Sequence, residues 1–189
     1  MNIEVEIKFK VDNLDEFKKK LPEFGKLTKS IKQIDDYYVP CHRDFFAKKP
    51  DPSEWLRIRR NPDCAIFEYD RSVNSNNGAQ FYAEEYETKI SNPEELEKIL
   101  VFLDFKKIMT VDKNREYWNC GKFEVCLDEI GNLGYFIEVE AKGDFEDNAQ
   151  AMKECEKFFE KLQTKNTNKE RIKTGYPVLL LEKLKKYEK

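Results

Sequence analysis

Ile3-Glu4-Val5-Glu6-Ile7-Lys8-Phe9 alternates apolar and ionic residues without a break. On an extended chain, side chains two apart point the same way, roughly 6–7 Å from one another. The segment therefore reads as a strand with Ile3, Val5, Ile7 and Phe9 on one face and Glu4, Glu6 and Lys8 on the other. Just downstream the period changes: Leu14, Phe17 and Leu21 share one helical face before Pro22. The same pair of elements returns later as Glu85-Tyr86-Glu87-Thr88-Lys89 followed by Leu96, Ile99, Leu100 and Leu103. Asn92-Pro93-Glu94-Glu95 opens that second helix, with a capping residue and then proline at the first helical position.

Further alternating stretches lie near 34–39, 54–60, 64–70, 108–118, 122–128 and 135–141. Met152, Cys155, Phe159 and Leu162 mark a third helix, and Pro177 opens a last one through Leu181 and Leu184. Polar stretches at Ser72–Gln80 and Thr164–Lys169 read as loops, too short to link domains. A single domain over 1–189 is expected, with pseudo-repeat halves at about 1–71 and 81–163 and a C-terminal helix at about 177–187. Two β-α-β-β-β halves carry too few helices for parallel crossovers. The expected fold class is α+β: a closed or nearly closed eight-stranded antiparallel β tunnel with helices packed outside.

Composition narrows the chemistry. The 34 Lys and Arg against 37 Asp and Glu leave a net charge of −3, which excludes a strongly cationic nucleic-acid binder. No apolar run approaches membrane-spanning length, and the N-terminal stretch has no apolar segment before a cleavage site, so no membrane partner and a cytoplasmic location are expected. Five scattered cysteines without a CxxC read as free thiols in a reducing compartment. A single histidine, His42, excludes zinc sites built on histidine pairs. No glycine-rich phosphate loop is present, so side chains must do any phosphate binding.

The ionic faces of the strands are the informative feature. Arg57 and Arg59 alternate with Leu56 and Ile58; Lys113 and Arg115 share a face; Glu138 and Glu140 oppose Ile137 and Val139; Glu124, Cys126 and Asp128 oppose Phe123, Val125 and Leu127. On any one strand this pattern fits a half-solvated sheet. Acids paired on some strands and bases on others fit a curled sheet whose ionic face points inward. Its lumen would collect Glu4, Glu6, Glu85, Glu87, Asp128, Glu138 and Glu140 beside Lys8, Arg57, Arg59, Lys89, Lys113 and Arg115. So many ions must be paired, wet, or joined by a ligand. Carboxylates without histidine or thiolate favour Mg²⁺ or Mn²⁺, and rows of arginine and lysine favour phosphate oxygens. The residues themselves point to a metal-dependent polyphosphate site.

Glu4-x-Glu6-x-Lys8 resembles the ExExK signature of the CYTH superfamily, the triphosphate tunnel metalloenzymes, which include class IV adenylyl cyclases and thiamine triphosphatases. Asp36-x-Tyr38-Val39-Pro40, Arg43-Asp44-Phe45 and Leu56-Arg57-Ile58-Arg59 resemble early segments of the class IV cyclase-like branch. Glu85-Tyr86-Glu87-Thr88, Lys113-x-Arg115 and the stretch from Leu127-Asp128 through Gly134 to Glu138-x-Glu140 resemble later ones. The resemblance implies that Glu4, Glu6 and Glu140 ligate divalent metal and that Glu85, Glu87, Asp128 and Glu138 complete or support the metal shells. It implies that Lys8, Arg57, Arg59, Lys113 and Arg115 grip phosphates, with Arg171 or Lys173 closing the tunnel. The implied catalytic set is Glu4, Glu6, Lys8 and Glu140. The chain departs from the family in carrying Asp70 where a lysine usually follows an aromatic residue, and Ala83 where an arginine usually precedes the second acidic pair. The implied reactions are conversion of ATP to cyclic AMP and pyrophosphate, or hydrolysis of a triphosphate (ATP, thiamine triphosphate or tripolyphosphate). A non-catalytic nucleotide- or phosphate-binding module is the alternative.

Overall fold

The alternating segments form strands, and the 3.6-period segments form helices. A computed structural model describes residues 2–45, 52–74, 80–163 and 168–187; positions 75–79 and 164–167 of the two predicted loops lie outside the described residues. The strands are β1 (Asn2–Glu4), β2 (Glu6–Val11), β3 (Lys26–Val39), β4 (Glu54–Arg60), β5 (Ala65–Asn74), β6 (Gln80–Ile90), β7 (Lys106–Cys120), β8 (Phe123–Ile130), β9 (Gly134–Ala141) and β10 (Lys169–Ile172). The helices are α1 (Asp15–Lys20), α2 (Pro93–Phe102), α3 (Asn148–Leu162) and α4 (Tyr176–Tyr187). Asn92 caps α2 as its sequence predicts, its side chain accepting from the Glu95 amide at 3.0 Å.

The strands make one sheet in the order β1-β6-β5-β4-β3-β7-β8-β9-β2-β10, and its ladders are antiparallel. The expected antiparallel α+β architecture holds, and the expected closed or nearly closed eight-stranded tunnel is met in part. Among the described residues the sheet has ten strands, and no ladder joins its end strands β1 and β10 into a hydrogen-bonded barrel. The stretch predicted as one strand at the N-terminus breaks at Val5. Its first part pairs with β6 (Glu4 opposite Ala83), and its second pairs with β9 (Glu6 opposite Glu140). One short segment thus spans the seam between β6 and β9, and the Ala141 amide donates to the Val5 carbonyl across it at 2.9 Å.

The apolar strand faces pack outward onto helices. Ile7, Phe9, Val11, Val125, Leu127, Ile137 and Val139 meet Phe17, Cys155, Phe158, Phe159 and Leu162 of α1 and α3, with Phe9 stacked on Phe159 at 3.8 Å. Tyr38, Leu56 and Ile58 meet Leu100 of α2. A third cluster, Tyr37, Val111, Ile130, Phe136 and Tyr176, lies on the opposite face of the sheet, the one that carries the ionic residues. Asp35, Glu68, Lys113 and Asp128 on that face are at most 2% exposed, so it does not look onto bulk water.

Candidate active site

Residues from β1 to β7 and from β9, some of them strands far apart in the sheet order, line one cavity of about 110 Å³. Only a strongly curled sheet brings them together. Glu4, Glu6, Lys8, Arg57, Arg59, Glu85, Lys113, Arg115 and Glu138, all candidates from the sequence, meet there, joined by Asp70, Ala83, Tyr37, Trp55 and Tyr176.

One side of the cavity is a set of ion pairs. Arg115 donates from Nε to Asp128 Oδ1 at 2.6 Å and from Nη2 to Glu138 Oε2 at 2.5 Å. Lys8 Nζ lies 2.9 Å from the other oxygen of Glu138 and 3.3 Å from Glu6. Arg59 donates from Nε to Asp35 Oδ1 at 2.9 Å, and Lys113 Nζ is 3.7 Å from Oδ2 of the same carboxylate. Arg57 is paired with Glu68 and donates to the Tyr37 hydroxyl at 2.9 Å. Burial opposes ionisation of Glu138 and Asp35, yet Arg115 and Lys8 hold Glu138 well below the usual carboxylate range, and Arg59 and Lys113 do the same for Asp35. These carboxylates fix the cations in place.

Glu4, Glu6 and Glu85 of the cavity behave oppositely, as does Glu140, which is paired with Glu6 across the β2–β9 ladder but is not part of the cavity lining. Burial, then Glu138, pushes Glu6 up to about 7. Burial, then Glu4, pushes Glu140 up to about 8, although Lys142 donates to it at 2.5 Å. Glu4 is raised by burial and by Glu85, and Glu85 by burial and by Glu68. Carboxylate oxygens of Glu68, Glu85 and Glu87 lie within 4.8 Å of one another, with Glu87 exposed and Glu68 held low by Arg57 and Arg59 despite its burial. Carboxylates that burial and mutual repulsion drive toward protonation suit a hard divalent cation, and an all-oxygen set of this kind fits Mg²⁺ or Mn²⁺.

The remaining sequence candidates are placed differently. Asp128 is engaged by Arg115 and by the Tyr176 hydroxyl, which donates at 2.6 Å. Lys89 is exposed. Arg171 is opposite Phe9 in the ladder, so it faces outward, and there it pairs with Glu156 of α3. Lys173 is exposed. The structure does not bring Arg171 or Lys173 to the cavity. Asp36, quoted for the resemblance, also points out, to Arg60 and Lys107.

Sequence reasoning missed Asp35, Glu68, Tyr37 and Tyr176. Glu68 carried a signal, since it is two residues from Asp70 and shares its face while Phe67 and Tyr69 take the other. Asp35 was masked by its neighbour: in Asp35-Asp36 one carboxylate must face in and one out, and nothing local says which.

An antiparallel sheet curled around an ionic cavity, with helices on its apolar face, defines the class. The chain matches the CYTH domain over residues 2–172 and belongs to that family. It is 31% identical over 171 residues to the Methanocaldococcus jannaschii protein named "Putative adenylate cyclase MJ0240", covering 90% of this chain and 93% of that one. Among solved structures it is similar to the PH1819 protein of Pyrococcus horikoshii, with a TM-score of 0.79, 28% identity, and coverage of 95% of this chain and 99% of that chain. The fold also matches HpAC1 from Hippeastrum, a cyclase by name reported to have a dominant triphosphatase activity, at a TM-score of 0.57 and 15% identity over 86% of this chain and 88% of that chain.

Proposed function

We propose that the protein is a divalent-metal-dependent enzyme acting on triphosphates, cleaving a phosphoanhydride bond either by hydrolysis or by class IV cyclase-type ring closure of ATP. The observation that carries this reading is one cavity holding five cations, Lys8, Arg57, Arg59, Lys113 and Arg115, beside the raised carboxylates Glu4, Glu6 and Glu85. Membership of the CYTH family and likeness to a cyclase-named relative support it. Glu4, Glu6 and Glu140, with Glu85 and Glu87 alongside, would hold Mg²⁺ or Mn²⁺. Bound there, the metal supplies charge neutralisation of phosphate oxygens and activation of the attacking oxygen. The chain's own part is to present fixed cations: Arg115 and Arg59, clamped by Asp128 and Asp35, meet the phosphates without reorganising. The working unit is the single domain of two pseudo-repeat halves. Its five free cysteines suit a reducing compartment such as the cytoplasm, and no described helix is long and apolar enough to cross a membrane.

A panel of ATP, thiamine triphosphate and inorganic tripolyphosphate, each with Mg²⁺ and with Mn²⁺, tests the reading by assaying phosphate, pyrophosphate and cyclic AMP. Glu4→Ala and Glu140→Ala should each abolish metal-dependent turnover while the fold persists; full activity in both would refute the site. A second reading is a binding module without turnover. It is favoured by Asp70, which enters the cavity 3.7 Å from Arg57 and competes there with phosphate. Tight binding with no product would select it.

A further inference from the structure

Part of the cavity lining is aromatic. Tyr176, at the start of α4, lines the cavity together with Gly175, Pro177 and Trp55. Its ring packs against Phe136 at 4.9 Å, and Trp55 packs edge-on against Tyr37 at 5.7 Å. Behind this layer, Ile172, Leu179 and Leu180 join Val111 and Ile130. The same ring is a platform for the phosphate-gripping cations. Lys8 Nζ sits 4.4 Å from its centroid and Lys113 Nζ 5.2 Å, and its hydroxyl donates to Asp128, the carboxylate that clamps Arg115. One buried side chain, 4% exposed, therefore touches or indirectly fixes three of the five cavity cations.

We propose that Tyr176 is the floor of a blind phosphate cavity. In this arrangement Tyr176 positions Lys8 and Lys113 around the terminal phosphoryl group of a short linear chain, and a long polyphosphate is held by its end instead of being threaded through. The reasoning rests on the triphosphate reading above and adds how such a chain is held: by its free terminus, over the Tyr176 ring. To thread, a chain would have to displace Tyr176 and the apolar layer behind it, exposing packed aromatic surface to a polyanion. To be gripped at its end, it needs only the cations already assembled over the ring. Tyr176 is a positioning residue for the cations as well as the stop.

Calorimetry in the presence of Mn²⁺ tests this with three probes: linear imidotriphosphate, which resists hydrolysis, cyclic trimetaphosphate, and a long linear polyphosphate of defined length. Imidotriphosphate should bind and the ring, which has no terminus, should not. The long chain should saturate with one protein at each end whatever its length. Tyr176→Leu, which removes the ring face under both ammonium groups, should weaken imidotriphosphate by about tenfold or more. Tyr176→Phe keeps the face and should stay within about threefold of wild type, since Arg115 still partners Asp128. Stoichiometry that grows with chain length, binding of the ring, or unchanged affinity in Tyr176→Leu would overturn the proposal. Should Tyr176→Leu not fold, the wild-type stoichiometry decides alone. If wild type binds none of the probes, the triphosphate reading falls as well, whereas binding with growing stoichiometry removes only the blind floor.

Discussion

Replacing Glu6 by glutamine should make the metal-free protein more stable at pH 8. The carboxyl of Glu6 is lifted from 4.5 to about 7 by burial and by Glu138. A carboxyl that binds its proton more tightly when folded stabilises the fold at low pH, and that contribution is lost as pH rises from the unfolded value through the folded one. At pH 8 Glu6 is ionised in both states, so the whole rise from 4.5 to about 7 counts against the fold, about 3 kcal/mol. At pH 5 the folded group is protonated and the unfolded group only partly ionised, leaving under about 1 kcal/mol. Glutamine removes the titration, keeps the shape, and leaves an oxygen to accept from Lys8, 3.3 Å away in the native protein. Urea denaturation of both proteins in EDTA at pH 5 and pH 8 measures the difference. The variant should gain about 3 kcal/mol at pH 8 and little at pH 5. Saturating Mn²⁺ should then raise the stability of wild type and not of the variant. A variant less stable than wild type at pH 8 would refute the claim that Glu6 is held ionised against repulsion.

Other substitutions separate clamp, surface and packing. Arg115→Ala strips the shared cation from Asp128 and Glu138, both at most 5% exposed, and should cost roughly 3–5 kcal/mol in chemical denaturation. Arg171→Ala removes an exposed outer pair with Glu156 and surface contacts with Met152 and the Phe9 ring, so stability should change by about 1 kcal/mol. Triphosphate turnover in that variant should equal wild type. Gly25→Ala would set a Cβ 2.1 Å from the Asn119 carbonyl oxygen, so β3 and β7 must shift where they begin to pair. A loss of about 1–3 kcal/mol is expected, read as a lowered melting temperature.

The elements of the fold were legible where periodicity was strong, and their partners were not. Alternation located most strands and the helical stripes located the helices, because one buried face imposes its period on the sequence. The first half of β3, Lys26–Gln33, escaped because most of its residues are exposed or half-exposed and impose no apolar face. β10 is Lys-Glu-Arg-Ile, four residues with one apolar side chain, too short to show a period. Nothing in Glu4-Val5-Glu6 announces that the chain leaves β6 for β9 at Val5, since period two is the same whichever strand lies alongside. Ladder partners are a long-range property, and the alternation is a local one.

The same limit applies more sharply to the site. Glu138 and Glu140 sit two residues apart on one strand and one face, and the sequence gives them the same description. In the folded protein, Glu138 lies between Lys8 and Arg115 and is pulled well below the usual carboxylate range, whereas Glu140 faces Glu4 and Glu6 and is pushed up to about 8. The first is already neutralised by the chain's own cations and serves to aim them. Among the described residues the second is ion-paired with Lys142 alone while facing two other acids, so it has more to gain from a metal ion. Which role a carboxylate takes depends on which strand curls around to meet it, as Asp35 and Glu68 also show by holding Arg59 and Arg57 from strands whose ionic residues had no apparent partner in the sequence. Strand parity could say that these residues point inward together; the division into clamps and metal-facing acids arises only when the curled sheet sets the charges against one another.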